Sequence, residues 1–439
     1  MFTVALLGKP NVGKSSLFNS FVHRRDAIVS DQPGLTRDRR YGAVSHHGRH
    51  WLLIDTGGLF SAQSELDRQV EKQTDCAIEE ADLLLLVVSA RDGLTALDEL
   101  IADKLRRINK PIHLIVNKID GLERHTAEAQ FAGLGLSRVF ATSATHRLGV
   151  REVLADIGRQ LPAQDTQTQH DPQLPRIAML GRPNSGKSTL FNRLLGQERA
   201  ISSPVPGTTR DSIEMSFEYK GRSLILVDTA GLRRRRKVSS EVEKIAAIKS
   251  LYRALATDVV ILMCGADEGL GSQDVALAGR VLDAGRSLAL ACNKWDLLDR
   301  EAQGRLQDSL ERKSPFAGID VCRLSALRGD GVDALMTAVL RAWQAGGLRV
   351  SAAQCNRLLQ AAVRRHHPDS PPRRQPKLRY IHQGGVRPPL FVVHGSRLDH
   401  LSSGYRRYLE NFFRRELKLR GTAIAFRFRN KDNPYIDSK

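Results

Sequence analysis

The chain has 439 residues and a formal net charge of +19, concentrated toward one end, because residues 351–439 carry 19 Lys and Arg against 6 Asp and Glu. This length is sufficient for two or three domains that each bury a core. The basic segment predicts contact with nucleic acid or an acidic membrane surface, or else a merely soluble basic surface. No apolar run approaches the roughly 20 residues of a membrane span, which excludes a membrane-spanning helix.

The five cysteines are odd in number, lie far apart and show no metal-ligand spacing. They are Cys76, Cys264, Cys292, Cys322 and Cys355. We therefore expect buried thiols in a reducing compartment. The chain also opens on a strand pattern and not on a charged leader followed by an apolar core, so we place the protein in the cytoplasm.

The first motif is a glycine-rich loop between the apolar residues 4–7 and a helical pattern that begins at Ser16. The loop reads Gly8-Lys9-Pro10-Asn11-Val12-Gly13-Lys14-Ser15. In a strand-loop-helix setting, a GxxxxGK[ST] loop directs backbone N–H groups at a β-phosphate, and the helix N-terminus adds its positive dipole end. We expect Lys14 to bridge the β- and γ-phosphates and the Ser15 hydroxyl to hold Mg²⁺.

Strand and helix patterns alternate through the first domain, which we assign to residues 1–162. The predicted strands are residues 4–7, 51–54, 83–88, 112–116 and 139–141, and the predicted helices are residues 97–108 and 150–161. Alternation with fully apolar strands predicts an α/β fold, a mostly parallel sheet with helices on both faces. Ligand loops in such a sheet leave the carboxyl ends of the strands.

Two polar loops suit the γ-phosphate and its metal. Thr36 lies in the loop 31–38 and is expected to bind Mg²⁺ and the γ-phosphate only when triphosphate is present. The second loop, Asp55-Thr56-Gly57-Gly58, closes a strand. Its Asp55 carboxylate would reach Mg²⁺ through water, and the Gly58 amide would reach the γ-phosphate. Alone, this tetrapeptide is equally typical of a tight turn; its place at a strand end favours the functional interpretation.

Two further loops predict a base site. Asn117-Lys118-Ile119-Asp120 follows the strand 112–116, and Ser143-Ala144 follows the next strand. The Asp120 carboxylate can accept hydrogen bonds from the ring N–H and the exocyclic amine of guanine, a donor pair that adenine lacks. A backbone N–H of the Ser143-Ala144 loop would bind the guanine carbonyl. The sequence therefore predicts GTP and GDP as ligands and argues against an ATPase.

A polar linker, residues 163–174, leads to a second copy of the motifs. The two glycine loops are offset by 173 residues and the two NKxD motifs by 176. A repeat this long indicates a duplicated domain, residues 175–346, because solenoid repeat units are only about 20–50 residues long. The second set is Gly181-Arg182-Pro183-Asn184-Ser185-Gly186-Lys187-Ser188, Thr209, Asp228-Thr229-Ala230-Gly231, Asn293-Lys294-Trp295-Asp296 and Ser325-Ala326.

The roles predicted for the first copy transfer to the second. Mg²⁺ would be held by Ser188, Thr209 and Asp228, with Lys187 and Gly231 at the phosphates and Asp296 at the base. Residues 232–237, which contain five consecutive cations, follow directly. This run is either a solvated face or a docking point for RNA.

The ordered motifs GxxxxGKS, GxTRD, DTxG, NKxD and SA, present twice and followed by a basic segment, resemble the Der (EngA) family of tandem-domain GTPases. The resemblance covers essentially the whole chain. It implies two P-loop GTPase domains and a factor, expected to be a monomer, that acts in the biogenesis of the large ribosomal subunit by binding ribosomal RNA.

The remaining segment, residues 350–439, shows an α-β-β-α-β pattern, which the resemblance identifies as an α+β KH-like domain. A KH domain that grips RNA needs a GxxG loop, and this segment has none. RNA contact would then depend on Arg406, Arg407, Arg414, Arg415, Arg427 and Arg429. Alternatively, the domain packs against a GTPase domain and signals its nucleotide state.

The residue that orients the attacking water in Ras-like GTPases is a glutamine directly after the DxxG glycine. Leu59 and Leu232 occupy those positions here, so hydrolysis is expected to be slow or to use another device. The resemblance implies potassium, bound with help from Asn11 and Asn184.

Two other functions compete with a GTPase assembly factor. A nucleotide-stabilised RNA-binding scaffold is disfavoured by the complete catalytic motifs. A tRNA-modification GTPase needs its own chemical site, such as a cysteine near the C-terminus, and the last cysteine here is Cys355. Membrane binding lacks an amphipathic basic helix, apart from the apolar pair Phe412 and Phe413 beside two arginines.

Overall fold

The computed structural model describes residues 2–22, 39–47, 49–56, 77–136, 138–161, 174–197, 214–227, 240–312, 318–368 and 375–430. The chain forms two compact units, Met1–Gln169 with Arg236–Lys249 and His170–Arg235 with Ser250–Lys439. Across the described ranges, no helix has the length and apolar character that crossing a membrane requires. The linker predicted at 163–174 falls almost wholly outside the described residues.

The first unit contains a six-stranded sheet in the order β2-β3-β1-β4-β5-β6. Its strands are β1 (Thr3–Leu7), β2 (Arg39–His46), β3 (Arg49–Thr56), β4 (Leu83–Ser89), β5 (Ile112–Asn117) and β6 (Val139–Ala141). Its helices include α1 (Lys14–Phe21), α2 (Ala96–Arg106), α3 (Arg124–Ala129) and α4 (Val150–Gln160). Strands β2 and β3 pair antiparallel and the other neighbours pair parallel, which confirms the predicted α/β class.

Burial explains why these segments are strands. All seven residues of β4 are buried, and five of six in β5, as expected for central strands of a parallel sheet that are covered on both faces. Leu17 and Phe18 of α1 and Ile157 of α4 pack in the same core cluster as these strands. Because β3, β1, β4, β5 and β6 run parallel, their carboxyl ends lie at one edge of the sheet, and this packing holds them there.

The second unit repeats this sheet in the order β8-β9-β7-β10-β11-β12. Its strands are β7 (Arg176–Gly181), β8 (Glu214–Tyr219), β9 (Arg222–Val227), β10 (Val259–Gly265), β11 (Ser287–Asn293) and β12 (Val321–Arg323). The helices between residues 187 and 346 are α5 (Lys187–Gln197), α6 (Ser240–Leu255), α7 (Ser272–Asp283), α8 (Arg300–Arg312) and α9 (Val332–Gly346). The matching strand order confirms that the sequence repeat is a repeated fold.

The same unit contains a three-stranded sheet in the order β13-β14-β15. Its elements are α10 (Ala352–Arg365), β13 (Lys377–Gly385), β14 (Leu390–Ser396), α11 (Ser403–Glu416) and β15 (Ala425–Asn430). Strands β13 and β14 are antiparallel, and β15 lies parallel to β14. The predicted α-β-β-α-β order is confirmed. The last strand begins at Ala425, and Thr422, three residues before it, lies in a buried contact.

That contact joins the C-terminal domain to the second GTPase-like sheet. The Leu288 N–H at the start of β11 donates to the Gly421 carbonyl at 2.6 Å. The buried Ser287 hydroxyl lies 3.2 Å from the Thr422 hydroxyl and donates to the Ala342 carbonyl at 3.1 Å. The packing role considered for this domain is therefore realised in the structure.

An ion-aromatic contact extends the same junction. The Arg387 guanidinium stacks 4.6 Å from the ring centroid of Trp343, and the Arg387 N–H donates to the Gly346 carbonyl at 2.9 Å. Planar guanidinium stacking of this kind contributes about 0.5–2 kcal/mol. The junction thus combines backbone, hydroxyl and cation–π contacts on β11 and α9.

We predict that Thr422→Val will loosen this junction, because it removes a buried hydroxyl partner of Ser287 that is worth about 1 kcal/mol. Hydrogen exchange at the Leu288 amide, followed by mass spectrometry, should become roughly fivefold faster. Thr337→Val is the matched control, since the exposed Thr337 hydroxyl donates to the Asp333 carbonyl of its own helix and not to the junction. Unchanged exchange at Leu288, or equal acceleration in the control, would contradict the prediction.

Candidate functional site

The first glycine loop joins β1 to α1 and needs glycine at two positions. Gly8 and Gly13 have φ angles of 141° and 97°, a region that side-chain-bearing residues rarely adopt. A Cβ at Gly13 would collide with Asn117 Nδ2, and one at Gly8 with the Val87 carbonyl. The loop is therefore pressed against the ends of β4 and β5, with its backbone free of side-chain bulk.

The loop lysine is curled back onto its own loop. Lys14 is 6% exposed, and its ammonium donates to the carbonyls of Gly8 at 2.9 Å and Lys9 at 2.8 Å. Burial lowers the pKa of Lys14 to about 8, although the nearby Asp55 carboxylate opposes the shift. These carbonyls hold the ammonium over the loop, where it can exchange them for phosphate oxygens.

A hydroxyl and a carboxylate meet beside the loop. Ser15 at the start of α1 donates from Oγ to Asp55 Oδ2 at 2.8 Å. Hard oxygen donors of these two kinds, completed by phosphate oxygens, form the ligand set that Mg²⁺ prefers. The pair therefore fits a nucleotide-bound Mg²⁺. Thr56 donates to the Leu6 carbonyl at 2.6 Å, while Thr36, Gly57 and Gly58 lie outside the described residues.

One amide connects the phosphate loop to the predicted base site. Asn117 at the end of β5 donates from Nδ2 to the Val12 carbonyl at 2.9 Å, and its Oδ1 accepts from the Ala144 N–H at 3.1 Å. Lys118 follows with its ammonium 2.6 Å from the Asn11 carbonyl. The NKxD and SA motifs, separated in sequence, therefore lie at one edge of the sheet with the loop.

The predicted base-reading carboxylate, Asp120, lies among hydrogen-bond donors and beside an arginine. Ser143 Oγ donates to it, and Arg91 and His146 lie 3.3 and 3.6 Å away. The Ser143 hydrogen bond, with smaller contributions from His146 and Arg91, lowers the pKa of Asp120. The carboxylate is therefore ionised at neutral pH, the state that can accept two hydrogen bonds from a guanine edge.

The second site repeats the central geometry. Asn293 donates to the Ser185 carbonyl at 2.9 Å and accepts from the Ala326 N–H at 2.8 Å. Lys187 donates to the Gly181 carbonyl at 2.8 Å, and burial lowers its pKa to about 8. The remaining predicted partners, Thr209, Asp228, Thr229, Ala230 and Gly231, lie outside the described residues, as do residues 232–237.

The base sides of the two sites differ in their ion pairs. In the second site the Lys294 ammonium pairs with Asp267 at 2.7 Å, whereas its counterpart Lys118 reaches the phosphate loop. Asp296 pairs with Arg328 at 3.3 Å, and Arg328 occupies the repeat position of His146. Residues at equivalent motif positions thus have different ion-pair partners in the two copies.

The motifs did not predict a second contact of each phosphate loop. Lys9 donates to Thr95 Oγ1 and to the fully buried Asp98, both at 3.2 Å. In the other copy Arg182 pairs with the equally buried Asp274 at 3.1 Å. The signal was present in the sequence, because Asp98 and Asp274 are 176 residues apart, the offset of the NKxD motifs.

The C-terminal arginines divide into two groups. Arg414 is partly buried and donates to the Thr422 carbonyl at 2.7 Å, and Arg406 stacks 5.0 Å from the Phe428 ring centroid. Both therefore contribute to packing inside the domain. Arg427 and Arg429 are exposed on β15. The four described cysteines are buried and free, as predicted, and Cys76 lies outside the described residues.

The buried loop lysines predict proton uptake on nucleotide binding. At pH 8 an ammonium whose pKa is about 8 is half deprotonated, and a bound diphosphate favours its charged form. We expect each loop lysine to take up about half a proton when GDP binds at pH 8 and much less at pH 6.5, where the lysine is already charged. Calorimetry in two buffers of different ionisation enthalpy measures this. Equal uptake at both pH values would show that the lysines do not titrate in this range.

Known family models match the segments of the chain that carry this geometry. A model described as a 50S ribosome-binding GTPase matches residues 3–118 and again 176–294, and one described as the C-terminal KH-domain-like part of EngA bacterial GTPase enzymes matches 349–429. The three matches follow one another along the chain. They cover both phosphate loops, the first two residues of each NKxD motif and all but the last residue of the three-stranded sheet.

Relatives named GTPase Der align along almost the whole chain. The protein from Xanthomonas oryzae is 46% identical over 99% of this chain and 95% of its own length. Those from Thioalkalivibrio sulfidiphilus and Acinetobacter baumannii are 44% and 42% identical, over 99% of this chain and 95% and 93% of theirs. The chain therefore belongs to the Der (EngA) family and is a GTPase with two GTPase domains and a C-terminal KH-like domain.

Proposed function

We propose that this chain is a nucleotide-switched factor that binds ribosomal RNA during biogenesis of the large ribosomal subunit and leaves after GTP hydrolysis. The observation that carries the proposal is the direct hydrogen bonding of a basic domain to β11, the strand whose other end supplies Asn293 to the second site. The matching family model is described as ribosome-binding, which supports the same partner. The proposed domains are residues 1–162, 175–346 and 350–439.

In each proposed site, the role of a residue follows from its contacts. Lys14 and Lys187 exchange loop carbonyls for phosphate oxygens, and Ser15 with Asp55 would hold Mg²⁺ in the first site. Mg²⁺, when bound, would neutralise charge that develops on the β- and γ-phosphates. Ser188 has the equivalent position in the second site. Thr36, Gly58, Thr209, Asp228 and Gly231 keep their predicted switch and metal roles as proposals.

Guanine recognition is proposed to displace existing partners. Asp120 and Asp296 are each in contact with an arginine, Arg91 and Arg328 respectively, at 3.3 Å. A guanine edge would compete for these carboxylate oxygens, while the Asn117 and Asn293 amides keep the two loops in place. Specificity for guanine then follows from the donor pair that only guanine offers.

The C-terminal junction offers a route by which nucleotide state reaches the basic domain. Strand β11 runs from Ser287, bonded to the C-terminal domain, to Asn293, bonded to the phosphate loop. All seven residues of this strand are buried, and a close-packed strand of low compressibility transmits a displacement from one end to the other. We take the second site as the one that communicates with the RNA-binding domain.

Chemistry at Cys355, which a tRNA-modifying enzyme would use, has no support in the structure. The thiol is fully buried, and burial raises its pKa, so its reactive thiolate is disfavoured.

We propose that the factor is a monomer and that it meets the ribosomal subunit in the cytoplasm.

We predict that potassium will accelerate GTP hydrolysis at least tenfold over sodium and that the effect depends on Asn11 and Asn184. Both asparagines have left-handed φ angles, 64° and 60°, a conformation that asparagine tolerates without any ligand. The informative variants are therefore Asn11→Gly and Asn184→Gly, which keep this backbone and remove only the amide. When the two substitutions are combined, GTP hydrolysis in potassium should fall toward the rate in sodium, measured as phosphate release.

The two cations separate the possible outcomes of that experiment. Equal rates of the parent protein in sodium and potassium would remove potassium from the proposal. Potassium stimulation that survives both glycine substitutions would show that these asparagines serve only the backbone conformation.

We predict that the intact protein will co-sediment with large ribosomal subunits in a non-hydrolysable GTP analogue and not in GDP. Lys187→Ala should abolish this difference, because the phosphate loop of the domain joined to the C-terminal sheet loses its bridging cation. Lys14→Ala is the matched variant in the other copy and reports whether the first site also gates binding. Binding that ignores the nucleotide in the parent protein would contradict a switched factor.

A further inference from the structure

The three-stranded C-terminal sheet has two faces of different chemistry. Ile381, Phe391 and Val393 face the helices and belong to the hydrophobic core of the domain. Because side chains alternate along a strand, Tyr380, His382 and His394 lie on the opposite face. The face away from the helices therefore carries these three rings together with Val392, the register partner of His382.

These rings form one cluster. The centroids of His382 and His394 lie 5.2 Å apart with planes inclined by 20°, and those of Tyr380 and His382 lie 5.7 Å apart at 26°. Tyr380 and His394, partners in the register of β13 and β14, are 5.9 Å apart. Tyr380 is 44% exposed. Near-parallel rings at these spacings are stacked on one another with an offset, and Tyr380 is the most exposed of the three.

Cations surround the ring cluster, and carboxylates are absent from the strands that carry it. By register, Arg427 and Arg429 lie beside Val392 and His394 on the exposed β15. Arg379 and Lys377 are exposed on β13. The sequences of β13, β14 and β15 contain no Asp or Glu. The face is therefore complementary to a polyanion that also carries aromatic groups.

We propose that this ring face, Tyr380, His382 and His394 with Arg427 and Arg429, binds single-stranded RNA by stacking unpaired bases on the rings while the arginines contact phosphates. The inference rests on the proposed ribosomal RNA binding and specifies how it occurs. Single-strand binding surfaces combine these two features, aromatic rings for the bases and cations for the backbone. An RNA duplex hides the base faces that the rings would use.

This location differs from the contact that a GxxG loop provides. KH domains with that loop clamp the nucleotide backbone through it, and the present domain lacks it. A sheet face with exposed rings gives an alternative that needs no such loop. Of the helix arginines, Arg406 and Arg414 are engaged in packing, which leaves the strand arginines better placed for phosphates.

The test uses the full chain and a fluorescein-labelled 12-nucleotide oligouridylate, with a duplex RNA of equal length as a second probe, followed by fluorescence anisotropy. Tyr380→Ala should weaken single-strand binding roughly tenfold, whereas Tyr380→Phe should retain it. Arg427→Ala with Arg429→Ala should weaken binding and lower the slope of log affinity against log salt by about 1.4. Arg407→Ala with Arg415→Ala removes the same charge from the exposed face of α11 and should have little effect.

Other results would overturn the proposal. Tyr380→Ala binding within twofold of the parent, Tyr380→Phe losing as much as Tyr380→Ala, or equal loss in the helix control would each show that the rings do not stack bases. Tighter binding of the duplex would also reject it. GDP affinity and the circular dichroism spectrum of each variant establish that it is folded. Failed co-sedimentation with subunits alongside intact oligonucleotide binding would count against the proposed function alone.

Discussion

The asparagine at the end of the fifth strand of each GTPase sheet is the contact on which both sites depend. Asn117 and Asn293 each donate to a phosphate-loop carbonyl and accept from the backbone of the SA loop. Both side chains are buried, so an unmet amide group would cost about 1–3 kcal/mol. The glycines at 13 and 186 are required by the same contact, since a Cβ at either would collide with the amide. One side chain thereby fixes phosphate and base loops at a constant separation.

Around this fixed frame, the charged groups are satisfied by partners that a nucleotide can replace. Lys14 bonds to loop carbonyls, Ser15 to Asp55, and Asp120 to Ser143. Exchange of one hydrogen bond for another avoids the large cost of leaving a buried charge without a partner. The ion pairs of Lys9 with Asp98 and of Arg182 with Asp274 hold each loop to the first turn of a helix during that exchange.

The two copies share this frame but differ in what surrounds it. Lys294 is paired with Asp267, and the second sheet is hydrogen bonded to the C-terminal domain through Ser287 and Leu288. Duplication has therefore preserved the groups that face phosphate and allowed their neighbours to diverge. Such divergence gives two sites of one chemistry the means to respond differently to the same nucleotide.

The sequence by itself determined the two α/β sheets, the α-β-β-α-β order of the last domain and the motif residues, because strand burial and glycine loops depend on local pattern. It did not determine the pairing of Lys9 with Asp98 or the separation of packing arginines such as Arg414 from exposed ones such as Arg429. The ring cluster of Tyr380, His382 and His394 was also decided only by the fold. Each of these joins residues from different elements, and such contacts arise from register and packing in three dimensions, which local sequence patterns do not encode.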